Sequence, residues 1–430
     1  MKFCMVTTFY PPYHFGGDGT YVQRLTQALV ARGHQVDVIH DVDAFHLAHP
    51  GEPPAGPPEP VGVRVFPLRS GWGRLSPLLT HQTARPLLKP VLRRQLTGED
   101  YDVVHFHNAS LIGPGAFAWG RAVKLYTTHE YWLLCPLSLL WRFDRERCDR
   151  RDCVRCTLHA GRPPQWWRYT GYLARQLSYI DRFIAPSAYT RDKHREWGLD
   201  LPFEVLPSFV PSTATEVGAM PAPPRRPYFL FVGRLVGIKG LQTIIDAFSR
   251  YADADLLVAG TGEQEAGLRQ QAAGVPSVRF LGAQSAETLR ALYRDAIALI
   301  MPSICDEVFG LVLIEAMAQG TPVIARQLAG MAEVVRDSGA GLLFDDQAGL
   351  IAAMRQLQDD SALRARLSAN GRQAVTTRYS EDVHIAGYLA LIERVQRQRV
   401  AGAPGRPGDG AREENRARAA NRAAQEIVPR

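Results

Sequence analysis

Two carboxylates, two cations and four thiols are the residues of this chain whose spacing could do chemistry. Glu307 and Glu315 stand eight positions apart in MPSICDEVFGLVLIEAMAQGTPVIA, residues 301–325. Asp306 and Glu307 lie in a loop, Gly310 opens an apolar run in which Glu315 is the single charge, and Gly320, Thr321 and Pro322 end it. The pattern predicts strand, loop, short helix, turn, strand. A helix start offers backbone N–H groups without intrahelical partners and a positive dipole end, which suit a diphosphate. A carboxylate one turn further in can accept hydrogen bonds from two vicinal hydroxyls. The stretch therefore fits a nucleotide sugar. It fits equally a surface helix with Glu315 and Gln319 on its wet face.

Gly233-Arg234 and Lys239 follow the run YFLFV. At the carboxyl end of a strand, an Arg and a Lys compensate a diphosphate; taken alone, they are two solvated charges in a loop. Cys135, Cys148, Cys153 and Cys156 are spaced x12, x4 and x2 in a segment rich in Arg and Asp. That is the ligand count of a structural zinc site, with Cys153 and Cys156 as the tight pair and His159 as a substitute ligand. Four reduced thiols in a long loop is the plain alternative, and an iron–sulfur cluster a lesser one. Cys4 and Cys305 read as ordinary buried residues. His105 and His107 share a strand face, and a metal is not expected there.

These residues need elements to hold them. At 430 residues two domains are expected. Lys2–Thr8, 35–40, 102–107, 122–128, 182–185 and 204–206 read as strands, with helical spacing at 19–32 and 169–178. Residues 43–60 read as a loose Pro-rich loop. Residues 71–97 combine Trp72 and leucines with Arg74, Arg85, Lys89, Arg93 and Arg94; they read as helices with solvated charges, or as a basic amphipathic element against an anionic membrane or acceptor. A second alternating series predicts strands at 228–232, 255–259, 278–281 and 298–301, and helices at 241–251, 288–296, 348–357, 361–377 and 380–397. Alternation of this kind predicts parallel sheets covered on both faces. The expected division is a domain at 1–207 with a Cys-rich loop at about 135–167, a linker at 208–227, a domain at 228–379, a helix at 380–400 packing back towards the first domain, and a disordered tail at 401–430.

Gly16-Gly17 lies between the first strand and helix without forming G-x-G-x-x-G, so a nicotinamide or flavin reading loses ground. The start of the chain is too short in apolar residues for a signal peptide, and no apolar run would cross a bilayer. A cytoplasmic protein is expected, peripheral at most on the inner face of the membrane. The formal net charge of +7 permits attraction to anionic lipid or substrate. The cysteine loop lacks a zinc-finger helix pattern, so no nucleic-acid partner is expected.

FVGRLVGIKG, AGTGE and the 301–325 stretch, preceded by GGDGTYVQRLTQALVARGHQV, DVVHFHN, TTHEYW and IAPSAYT, resemble in order and spacing the retaining glycosyltransferases of family four. The E-x7-E pair is that family's signature, and the likeness runs from residue 1 to about 397. The resemblance implies an α/β, GT-B fold: two doubly wound Rossmann-like domains facing across a cleft. It implies transfer of a sugar from a UDP- or GDP-sugar to a hydroxyl of a glycan or lipid-linked acceptor, with retention and without a catalytic metal, in a setting such as cell-envelope polysaccharide synthesis. A non-catalytic protein of the same fold and a glycan phosphorylase are the alternatives. By resemblance, Arg234 and Lys239 bind the diphosphate and stabilise the leaving nucleotide. Glu315 holds the ribose, Glu307 contacts the sugar, and the amides of Phe309, Gly310 and Leu311 cap the phosphates. Gly233 belongs to the same donor loop. Gly16 and Gly17 admit donor or acceptor close to the backbone, and His129 approaches the transferred sugar. Two departures are Pro207-Ser208-Phe209, where the family often has a Pro-Asn-Gly type turn, and Glu130, where Asp is common.

Overall fold

The computed structural model describes residues 1–49, 51–53, 56, 59–212 and 226–401. The chain divides into two compact units. One holds Met1–Pro186, Thr190–Leu206 and the chain from Ile385 onward; the other holds Ser187–Tyr189 and Pro207–His384. Most of the expected linker (213–225) and nearly all of the expected tail (402–430) lie outside the described residues.

The first unit is built on seven parallel strands. Across the sheet they run Val63–Leu68, Gln35–Asp41, Lys2–Val6, Val103–Phe106, Val123–Thr127, Arg182–Ala185 and Phe203–Val205. The order reverses between Lys2–Val6 and Val103–Phe106, so loops leaving these two strands diverge and open a crevice at their carboxyl ends. The second unit repeats the plan with six strands: Val278–Gly282, Asp255–Ala259, Tyr228–Val232, Ala298–Met301, Val323–Arg326 and Gly341–Phe344, all parallel. Its reversal falls between Tyr228–Val232 and Ala298–Met301. Alternate residues of these strands enter opposite cores. Phe229, Leu256 and Ile300 pack with Ile245 and Leu350 on one face. Leu230, Leu257 and Leu299 pack with Leu313, Met317 and Val334 on the other. Burial on both faces is what a parallel sheet demands, and explains why its strands read as continuous apolar runs. The α/β expectation of two Rossmann-like sheets holds.

Local departures have physical causes. Residues 43–60 are not all loop: Val42–Ala48 is a helix, capped by the Asp41 carboxylate accepting from the Ala44 N–H at 3.1 Å. The helix expected at 241–251 is broken into a 3₁₀ turn, Leu241–Thr243, and a short helix, Ile245–Ser249. Gly240 (φ 74°) sits so close beneath Pro302 that a Cβ would lie 2.1 Å from its carbonyl oxygen, which pins the helix start. The basic stretch at 71–97 forms two helices, Leu75–Thr83 and Pro90–Gly98. Lys89 is not one of its surface charges. Its ammonium is buried 2.5 Å from Asp41 and 3.2 Å from Ser76 Oγ. The helix Glu381–Ala401 ends in the first unit. There Tyr388 stacks on Phe3 and its hydroxyl lies 2.9 Å from His105 Nδ1, while Arg399 pairs with Asp181 at 3.0 Å.

Candidate functional site

Two loops leave the reversal of the second sheet. The first follows Tyr228–Val232 and carries Gly233, Arg234 and Lys239. The second follows Ala298–Met301 and carries Glu307 before the helix Leu311–Ala318. They are tied by the Ile304 N–H to the Ile238 carbonyl (2.9 Å). The Arg234 loop is also seated on the Gly260–Gly262 turn. Gly233 N–H donates to the Ala259 carbonyl and Leu235 N–H to that of Thr261. A Cβ on Gly260 (φ 141°) would fall 1.9 Å from the Gly233 oxygen, so only glycine lets the strands' exits meet.

Within this frame Lys239 Nζ lies 2.6 Å from Glu307 Oε1, with side-chain exposures of 26% and 14%. Ser303 Oγ donates to the same carboxylate oxygen at 2.8 Å. Burial alone would raise the Glu307 pKa, but Lys239, the Ser303 hydroxyl and the Arg234 charge together hold it below the usual carboxylate range. Burial works against the Lys239 charge too, yet Glu307 keeps its pKa raised. Further along, Gly330 N–H donates to the Glu307 carbonyl at 2.9 Å, and a Cβ on Gly330 would meet the Val308 oxygen at 2.4 Å. Gly310 takes φ 105° at the helix N-cap, a conformation open to glycine, and turns the chain so that Phe309, Gly310 and Leu311 form the helix start. Glu315 sits one turn in, its Oε2 accepting from the Tyr293 hydroxyl at 3.2 Å. Arg234, Lys239 and Glu307 are thus one electrostatic group, and Glu315 stands separately on the adjoining helix.

Three supports were not read from sequence. Tyr189 OH donates to Asp306 at 2.8 Å, Ser187 Oγ donates to the Val308 carbonyl at 2.6 Å, and Glu333 accepts from the Ala188 and Tyr189 amides at 2.7 Å each. They brace the Glu307 loop from a segment more than a hundred residues earlier. Ser187, Ala188 and Tyr189 are the SAY of IAPSAYT, and nothing in their residue types announces these contacts.

The other expected residues belong to the first unit: Gly16 and Gly17 follow Lys2–Val6 at its reversal, and His129 follows Val123–Thr127, one strand further along. Gly16 (φ 99°) is the N-cap of Gly17–Val30. Asp18, just inside that helix, accepts from Asn108 Nδ2 at 3.2 Å. His129 Nε2 lies 3.1 Å from His107 Nδ1, and its ring is 4.8 Å from that of Tyr21. Burial, and then the charge of Asp18, push the neighbouring Glu130 carboxyl up to about 8. His105 and His107 are buried, with ring centroids 3.9 Å apart, and His105 Nε2 bonds Thr127 Oγ1 at 2.8 Å.

Cys135, Cys148, Cys153 and Cys156 carry free thiols and line one small cavity. Burial first, then the three other thiols, push Cys148 up to about 12. Among the described residues no group of three or more His, Cys, Asp or Glu side chains is placed to hold a metal ion. Cys4 and Cys305 are buried apart from this cluster. Among the described residues no helix is long and apolar enough to cross a membrane.

Comparison with known proteins adds three kinds of finding. Residues 15–213 match the family described as Glycosyltransferase Family 4, and residues 214–374 match Glycosyl transferases group 1. Glycogen synthase of Mycobacterium tuberculosis is 28% identical over 408 residues, covering 88% of this chain and 91% of that protein. Phosphatidyl-myo-inositol mannosyltransferase of Mycobacterium leprae is 29% identical over 397 residues, covering 89% and 95%. Among solved structures, Anabaena HepE in complex with UDP-glucose superposes with a TM-score of 0.63 at 17% identity, covering 93% of this chain and all of that one.

Proposed function

We propose, from a chain that carries a glycosyltransferase family 4 domain followed by a group 1 domain, that this GT-B glycosyltransferase moves a sugar with retention from a UDP- or GDP-sugar to a hydroxyl of a glycan or lipid-linked acceptor. The observation that carries the reading is the grouping of Arg234, Lys239 and Glu307 beside the helix start at Gly310, at the reversal of the second sheet. Ligands of such sheets bind there. The two relatives are named for transfer to a glycan and to an inositol lipid, and HepE was solved with UDP-glucose.

In this reading the diphosphate lies against the Arg234 and Lys239 side chains and the Phe309, Gly310 and Leu311 amides. Those groups are fixed before the donor arrives and stabilise the charge that grows on the leaving nucleotide. Glu307 holds Lys239 in place and offers its remaining acceptor capacity to the sugar. Glu315 accepts from the ribose hydroxyls. The acceptor oxygen bonds the anomeric carbon on the face from which the diphosphate departs; the carbon–phosphate-oxygen bond breaks, and the acceptor proton goes to the diphosphate. No step calls for a metal. In the first unit, Gly16, Gly17 and His129 are assigned to the sugar and acceptor. Trp72, Leu75 and Leu78, exposed near Arg74, supply a surface for peripheral contact with anionic membrane in a cytoplasmic, cell-envelope role.

A panel of UDP- and GDP-sugars, scored by thermal shift and then by product formation with glycan and lipid acceptors, tests this. Stabilisation by one donor, lost in Arg234→Ala and Glu315→Ala, with the anomeric configuration kept in the product, is the expected result. Stabilisation by no donor, or inversion, refutes it. Release of sugar phosphate from a glycan in phosphate buffer would identify a phosphorylase instead.

A further inference from the structure

We propose that Cys135, Cys148, Cys153 and Cys156 bind one zinc ion as a tetrathiolate and that this ion, rather than an apolar core, holds the 135–156 segment in shape. The four thiols come from three separate pieces of backbone that converge. Cys135 sits in a tight turn, where the Ser138 N–H reaches the Cys135 carbonyl at 2.9 Å and Ser138 takes φ 70°. A two-stranded antiparallel ribbon follows, Trp141–Arg142 against Glu146–Arg147, turning through Phe143 and Asp144 at φ 53° and 55°. The ribbon returns the chain so that the Cys148 N–H meets the Leu140 carbonyl at 2.7 Å. Cys153 and Cys156 lie three apart on the helix Cys153–His159, which puts them on one face.

All four line one cavity of about 10 Å³. That is room for a single water-sized sphere. The Phe143 N–H points at Cys156 Sγ from 3.4 Å, the kind of outer contact that orients a thiolate ligand. The four side chains are not placed to hold an ion as they stand, so binding requires the thiols to move in to the roughly 2.3 Å of a zinc–sulfur bond.

Two further observations ask for something at this point. The ribbon has two residues per strand and joins neither main sheet; hairpins so short do not persist in water unaided. The surroundings are also cationic. Residues 142–156 hold six arginines against four acids. Arg168 is buried among Trp132 and Trp167, and its hydrogen bonds end on the Trp132 and Leu133 carbonyls and Gln165 Oε1, none of them a carboxylate. It lines, with Cys153, a larger apolar cavity that shares Pro136, Asp152 and Cys153 with the small one. Zinc with four thiolates carries a net charge of −2. On binding, four S–H bonds give up protons to solvent and four zinc–sulfur bonds form. The result balances the surplus of arginines and gives Arg168 a negative neighbour.

The test uses the full chain, purified without chelator under reducing conditions. Metal analysis should find about one zinc per chain. Cys148→Ser and Cys153→Ser should retain well under half of that, and Cys4→Ala should retain all of it. Should the serine variants fold poorly, the wild-type chain still decides: stripped of zinc and refilled with cobalt(II), it should show the sulfur-to-metal charge-transfer and visible bands of a tetrahedral tetrathiolate. Absence of both zinc and these bands in the wild-type chain overturns the proposal. So does a mass four hydrogens short under non-reducing conditions, which means two disulfides, or the absorption of an iron–sulfur cluster.

Discussion

Replacing Lys239 by Met separates the two duties that its position implies. In the wild-type chain Lys239 and Ser303 both contact Glu307 Oε1, at 2.6 and 2.8 Å, and both members of the ion pair are more than two-thirds buried. The variant leaves Glu307 with the Ser303 hydroxyl and the more distant Arg234 charge. Removing one partner of a buried pair costs about 3–5 kcal/mol; the residual exposure and Arg234 reduce this to roughly 2–3 kcal/mol. A bound diphosphate separately loses a charge-assisted contact of about 1.5–3 kcal/mol, an affinity drop of roughly 10- to 150-fold. The double variant Lys239→Met with Glu307→Gln strands no charge, so its stability should return to within about 1 kcal/mol of wild type while its affinity for UDP or GDP stays low. Acidification adds a check of sign. The Glu307 pKa is depressed in the folded wild-type chain, so its stabilising contribution is full above the unfolded value of about 4.3 and is lost as pH falls through the lower folded value. In Lys239→Met burial dominates, the pKa rises, and the deficit against wild type should shrink between pH 7 and 5. Urea denaturation gives the stabilities and calorimetric titration the affinities. Wild-type nucleotide affinity in Lys239→Met, or its recovery in the double variant, would show that Lys239 only props Glu307 and does not bind the donor.

Glu315→Gln should weaken nucleoside diphosphate binding by roughly 10- to 100-fold, and a 2′,3′-dideoxy nucleotide should bind variant and wild type alike; an equal loss for both ligands would remove Glu315 from the ribose. Gly260→Ala should cost about 1–3 kcal/mol and weaken donor binding, because the new methyl displaces the Gly233 carbonyl and with it Arg234. Gly274→Ala, with open space at its Cβ, is the control, and equal behaviour of the two in urea melts and titrations would discount the close approach. Lys89→Met should cost about 3–5 kcal/mol by leaving Asp41 buried and uncompensated, whereas the pair Lys89→Met and Asp41→Leu should recover much of it; full stability of the single variant would mean water reaches Asp41.

Much of both sheets was legible because buried parallel strands are continuous apolar runs set off by Gly and Pro. Val63–Leu68 escaped because it is an edge strand carrying Arg64 and Pro67. Arg64 is there to grip Asp37 through two bonds of 2.7 and 2.6 Å, a partner 27 residues away that periodicity does not report. Val42–Ala48 was hidden by the prolines after it. The residues proposed for the donor could be singled out by type, since each follows a strand of the second unit. That Lys239 would close on Glu307 was not, because 68 residues separate them and only the sheet order brings their loops together. The bracing of that loop by Ser187–Tyr189 was invisible for the same reason.

The helix Glu381–Ala401 gives the first unit an unusual birth order. Its sheet is encoded before residue 207, yet Tyr388 and Arg399, which close over Phe3, His105 and Asp181, are among the last described residues to leave the ribosome. Until then the apolar surface around Phe3 is without the Tyr388 ring that stacks on it. A gene cut near codon 207 would yield a sheet with that surface bare, whereas a fragment supplied with residues 385–401 in trans could regain it.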